Sequence, residues 1–111
     1  MLLSGKTAIV TGGARGIGAS ICRVLAQHGA AVAVNYLTSR EAAEAVAADI
    51  VGVGGKALPV QADVRDADAA VRMVEEVQAA FGRVDGIVNN AIGGRQCGTF
   101  DETCWDDYAD M

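Results

Sequence analysis

TAIVTGGARGIGAS, residues Thr7 to Ser20, decides the fold. Its first part is a short, valine- and isoleucine-containing apolar run, the signature of a strand buried on both faces. Gly12, Gly16 and Gly18 follow in a turn, and beyond them Ile17, Ile21, Val24 and Leu25 recur three and four residues apart, as on one face of a helix. A strand that runs through glycines into a helix leaves the first helical amides free. Reinforced by the helix dipole, they form a site for an anion, which glycine lets come close to the backbone.

Outward from this stretch the same alternation repeats. Ala31 to Tyr36, Ala57 to Gln61 and Val84 to Asn89 are further short apolar runs. Between them lie two more helical stripes, Ala43, Val46, Ala47 and Ile50, then Ala70, Val71, Val74 and Val77. The punctuation agrees. His28-Gly29 predicts a left-handed close to the first helix. Thr38 and Glu41 have capping-box spacing at the start of the second, which closes in Gly52 to Gly55. Asp66 is a good N-cap for the third, which ends near Phe81-Gly82. Strand and helix alternating with short connections predict one α/β domain over residues 1–111, a doubly wound parallel sheet with helices on both faces. Ligands of such sheets sit beyond the carboxyl ends of the strands, where every motif below falls.

Composition narrows the function classes. The chain of 111 residues is 51% hydrophobic and 21% charged, a globular balance, and no apolar run is long enough to span a membrane. Its formal net charge of -5 argues against a nucleic-acid partner. The opening MLLSGKTAIV lacks the features of a secretion signal, and Cys22, Cys97 and Cys104 contain no C-x-x-C pair, so the expected compartment is the cytoplasm, with reduced thiols and no metal site. Asp101, Glu102, Asp106, Asp107 and Asp110 are read as a solvated helix start rather than metal ligands, and His28 as a helix-terminal cation rather than a catalytic group.

The glycine spacing is T-G-x-x-x-G-x-G, neither G-x-G-x-x-G nor a Walker loop. Thr11-Gly12-Gly13-Ala14-Arg15-Gly16-Ile17-Gly18 resembles the cofactor loop of the short-chain dehydrogenase/reductases, particularly the 3-oxoacyl-acyl-carrier-protein reductase type. Asp63-Val64 resembles that family's adenine contact, and Asn89-Asn90-Ala91 its N-N-A-G motif near the ribose and nicotinamide, with Ile92 standing where the family has glycine. The resemblance covers essentially the whole chain. It implies a Rossmann-type sheet truncated to about four strands in the order 3-2-1-4, with the fourth left at an edge.

The choice of nucleotide follows from charge. An NAD site offers a carboxylate at the end of the second strand to hold the ribose hydroxyls. Here that strand ends at Asn35-Tyr36, and Glu41 is assigned to the capping box. Arg15 in the loop, and Thr38, Ser39 and Arg40 after the strand, offer donors that suit a 2′-phosphate, so NADP(H) is expected over NAD(H). The candidate cofactor contacts are therefore Gly12, Arg15, Gly16, Ile17, Gly18, Asn35, Tyr36, Thr38, Ser39, Arg40, Asp63, Val64, Asn90 and Ala91.

The resemblance also implies chemistry that these residues lack. Carbonyl reduction in the family uses a tyrosine, a lysine four residues later and an upstream serine, all from the later half of its fold. No Y-x-x-x-K occurs here: Tyr36 is followed four residues on by Arg40, Tyr108 has three residues after it, and the two lysines are Lys6 and Lys56. The expectation is the cofactor half of a reductase without a catalytic residue of its own. The alternatives are a nucleotide-binding or interaction module using its exposed fourth strand, a chain that self-associates or is complemented by a C-terminal half, and an inert remnant.

Overall fold

The computed structural model describes residues 2–90. Seven elements alternate along them: β1 (Thr7–Val10), α1 (Gly16–Gln27), β2 (Ala31–Tyr36), α2 (Arg40–Gly52), β3 (Lys56–Gln61), α3 (Ala67–Phe81) and β4 (Gly86–Val88). The four strands form one parallel sheet in the order β3-β2-β1-β4, with Thr7 opposite Ala31, Ala31 opposite Lys56 and Ala8 opposite Gly86. The expected order is met, and among the described residues β4 is an edge strand.

Alternation along the central strands divides the core into two layers. Val10, Val32, Val34 and Tyr36 pack with Val46, Ala47 and Ile50 of α2 and with Ala19 and Cys22 of α1. Ile9, Ala33 and Val60 pack on the opposite face with Met73 and Val77 of α3. Both faces of the sheet are thus covered, which is why its strands read as continuous apolar runs.

The helix ends follow local chemistry. Asp66 caps α3 by accepting from the amides of Asp68 and Ala69, and Gly82 closes it in the left-handed region at φ 86°. Gly29, just past α1, takes φ 99° as expected.

Four sequence expectations are corrected. The Thr38–Glu41 capping box does not form: Ser39 is the N-cap of α2, no side chain caps it, and Thr38 contributes only its carbonyl, which accepts from the Arg40 amide. In α1, Ile17 and Val24 are exposed and the buried face is Gly18, Ala19 and Cys22, because the helix lies so close to the sheet that only small side chains fit between. In α3, Val71 faces outward and Met73 takes its place in the core. The strand expected over Val84 to Asn89 is also shorter, Gly86–Val88.

Asp85 ties the far edge of the sheet to its centre. Its Oδ2 accepts from the Thr7 amide at 2.7 Å, at the start of β1, while its other oxygen pairs with Arg83. The guanidinium first, and then the Thr7 amide, hold the Asp85 carboxyl below the usual carboxylate range. A lowered folded-state value gives stability that is complete above the ordinary value of 3.8 and is lost as pH falls through the folded value. Urea midpoints measured from about pH 6 down to about pH 2 should therefore fall on acidification, and Asp85→Asn should show a lower midpoint near neutrality with a shallower acid limb.

Candidate cofactor site

The site is built at the carboxyl ends of β1, β2 and β3, where the chain turns into the three helices. The loop from Thr11 to Arg15 is held at several points. Thr11 Oγ1 donates to the Val88 carbonyl at 3.1 Å and accepts from the Asn90 amide at 2.8 Å. Asn90 Nδ2 donates to the Gly12 carbonyl at 3.1 Å. On the other side Asn35 Oδ1 accepts from the Gly12 amide at 3.2 Å, and the Asn35 carbonyl accepts from the Gly13 amide at 2.9 Å. Gly12 has φ 62°, a conformation that a side chain would strain.

Beyond the loop, Arg15 is the extended N-cap of α1 and provides no side-chain cap, and the first turn carries no acid. The amides of Gly16, Ile17 and Gly18 open the helix beside it, with Arg15, Gly16 and Ile17 exposed and Gly18 buried. A Cβ on Gly18 would overlap the Gly12 carbonyl oxygen and approach Asn90 Nδ2 to 2.6 Å. The turn is therefore closed up from inside, while its outer face is a bare helix N-terminus fit for an anion.

The remaining candidates lie around this turn. Thr38 and Arg40 are exposed and Ser39 half-buried, just after β2. Asp63 follows β3 and receives both the backbone amide and the guanidinium of Arg65, its Oδ1 and Oδ2 each 3.0 Å from a guanidinium nitrogen. That bidentate pair holds the Asp63 carboxyl below the usual range. Val64 is half-buried and, with Thr11, Ile87 and Asn89, lines an open groove between α3 and β4.

Asn35 and Tyr36, at the end of β2, are both buried. Tyr36 is buried in the core beneath α2. Asn35 is 2% exposed, and its Nδ2 donates to the carbonyls of Val60 and Ala62, so both of its donor hydrogens are used inside the fold. Ala91 and Ile92 lie outside the described residues, as do Cys97, Cys104, Tyr108 and the acidic segment from Asp101 to Asp110. Sequence reasoning missed Arg65 as the partner of Asp63 and Asp85 as the tie to β1. The two-residue spacing of acid and arginine, Asp63-x-Arg65 and Arg83-x-Asp85, was the available signal for both pairs.

A family model described as short chain dehydrogenase matches residues 6–111. The chain belongs to that family. It is 52% identical over 89 residues to an uncharacterised oxidoreductase of Methylorubrum extorquens, covering 80% of this chain and 36% of that protein. It is 50% identical over 86 residues to a 3-oxoacyl-[acyl-carrier-protein] reductase of Staphylococcus aureus, covering 78% of this chain and 35% of that protein. Among solved structures, a short-chain dehydrogenase/reductase from Serratia marcescens superposes with a TM-score of 0.78 at 40% identity, over 96% of this chain and 44% of that one. The chain thus spans between about a third and a half of the length of these relatives. Short-chain dehydrogenases use nicotinamide dinucleotides, and the closed glycine turn, the uncapped helix and the turn after β3 fit such a ligand.

The close approach at Gly18 gives a direct check. Gly18→Ala should lower stability by about 1–3 kcal/mol in urea unfolding, because the clash is with backbone. Gly86→Ala, where a Cβ meets nothing within 4 Å, should change it by less than about 0.5 kcal/mol.

Proposed function

We propose that this chain is the NADP(H)-binding half of a carbonyl-reducing short-chain dehydrogenase, of the kind that acts on 3-oxoacyl groups. The observation that carries the reading is the bare N-terminus of α1 beside a glycine turn too closely packed to admit a side chain. In this reading the amides of Gly16, Ile17 and Gly18, with Gly12 behind them, hold the pyrophosphate. The donors of Arg15, Thr38, Ser39 and Arg40 take the 2′-phosphate, Asp63 and Val64 the adenine, and Asn90 with Ala91 the nicotinamide ribose. The failure of the capping box leaves Glu41 uncommitted, yet the end of β2 itself still offers Asn35 and Tyr36 and no carboxylate. The likeness to the Staphylococcus aureus reductase supports the substrate class, and a cytoplasmic location belongs to the same reading.

When bound, the nicotinamide supplies or accepts the hydride. This chain's own residues bind and orient the dinucleotide, and the proton donor comes from elsewhere, since no Y-x-x-x-K is present in the sequence. Calorimetric titration should give NADPH a Kd at least about tenfold lower than NADH, and Arg40→Glu should abolish that preference. Equal affinities would remove the NADP assignment; no binding of either at millimolar concentration would remove the cofactor reading.

One observation favours a further element of the proposal, that a second polypeptide segment completes the sheet. β4 pairs only with β1 among the described residues, and Ile87 on it is 47% exposed. An apolar, unpaired edge is a template for another strand, supplied by a C-terminal half or by a second copy. The pure 111-residue chain should therefore give no NADPH oxidation with a β-ketoacyl or diketone substrate, and light scattering should reveal self-association where no other half is present. Turnover at ordinary reductase rates by the pure chain would overturn the division into halves.

A further inference from the structure

Asn35 was expected to touch the cofactor, but its geometry assigns it a different task. It lies near the end of β2, opposite Val60 on β3, and reaches in two directions. Toward the glycine turn, its side chain accepts from the Gly12 amide and its backbone carbonyl from the Gly13 amide, so two successive loop amides rest on one residue. Toward β3, the two hydrogens of Nδ2 go to Val60 and Ala62, at 3.3 Å and 3.2 Å. Ala62 is the residue before Asp63-Val64. These partners also fix the orientation of the carboxamide, since an amide hydrogen demands Oδ1 and two carbonyls demand Nδ2. At 2% exposure, no water stands ready to replace any of the bonds.

We infer that Asn35 is a positioning residue that sets the distance between the pyrophosphate turn and the adenine-binding turn, by bracing the Gly12 amide against the carbonyls on either side of Gln61. The inference rests on the dinucleotide reading above. A dinucleotide spans both turns at once, so its affinity depends on their spacing, whereas a ligand confined to the adenosine end does not sense it. Asparagine suits the place because it alone presents one acceptor and two donors from a short planar group. Aspartate has the same shape without the donors, and leucine has the volume without either.

The test uses the 111-residue chain with two ligands, NADPH and adenosine, the latter lacking both the pyrophosphate and the 2′-phosphate that Arg15 of the glycine turn would hold. In Asn35→Leu and Asn35→Asp, NADPH affinity should fall about tenfold or more, while adenosine, followed by chemical-shift titration, should change less than about threefold. Hydrogen exchange of the Gly12 amide without ligand should accelerate in Asn35→Leu and stay slower in Asn35→Asp, which keeps an acceptor there. Asn35→Asp carries the comparison if Asn35→Leu does not fold. Equal losses for the two ligands, or unchanged NADPH affinity, would overturn the inference and leave the cofactor reading standing; so would failure of both variants to fold, which would make Asn35 a requirement of the fold alone. A wild-type chain that binds neither ligand would overturn both.

Discussion

The rest of the structure depends on one close approach, that of Gly18 in the first turn of α1 to the Gly12 carbonyl at the end of β1. Nothing larger than hydrogen fits between them, so helix and strand meet almost backbone to backbone. That contact brings the first helix to lie on the sheet through Gly18, Ala19 and Cys22, with Ile21 and Leu25 packing at the margin and Ile17 and Val24 turned outward. It also leaves the loop amides and carbonyls crowded where water cannot serve them all, so side chains must. Thr11 and Asn90 serve the side toward β4, and Asn35 the side toward β3. Three polar residues from three strand ends converge on one turn because a buried amide or carbonyl left without a partner costs about 1–3 kcal/mol.

This convergence explains why the site is rigid where it is polar. Parallel strands are hydrogen-bonded to their neighbours along their length, but at their carboxyl ends the ladder stops and each chain leaves for a helix. Asn35 and Asn90 extend the ladder by one further rung on either side of β1, with carboxamides in place of peptide groups. The turn between them is thereby held before any ligand arrives, and the ordering cost of binding an anion there is reduced in advance.

Much of this was legible in the sequence, for physical reasons that separate the successes from the failures. Strand runs and helix stripes are set by burial on one or both faces, and burial is written directly into apolar spacing: Ala43, Val46, Ala47 and Ile50 are all buried as read. Asp66 and Gly82 act through their immediate neighbours, so their roles are local and readable. The failures are cases in which tertiary geometry overrides a local pattern. The stripe Ile17, Ile21, Val24 and Leu25 has helical spacing, but the contact at Gly18 rotates α1 so that Ile17 and Val24 face outward. Thr38 and Glu41 have the spacing of a capping box, yet the backbone turn from Thr38 to Arg40 takes the place of the cap. Asn35 was readable as polar at a strand end, but its partners lie 23 to 27 residues away, at a distance no local pattern records.

The same contrast bears on the cofactor turn. Binding a dinucleotide requires strand ends held at fixed spacing, and β1, β2 and β3 supply that with their own helices and two core layers on either face. At the other edge, among the described residues, Ile87 on β4 is exposed, as are Ile17 and Val24 on α1. A parallel strand is most stable when both of its faces and both of its edges are covered. The glycine turn is complete in itself among the described residues, since its supports run from the β3 carbonyls through Asn35 to Thr11 and Asn90.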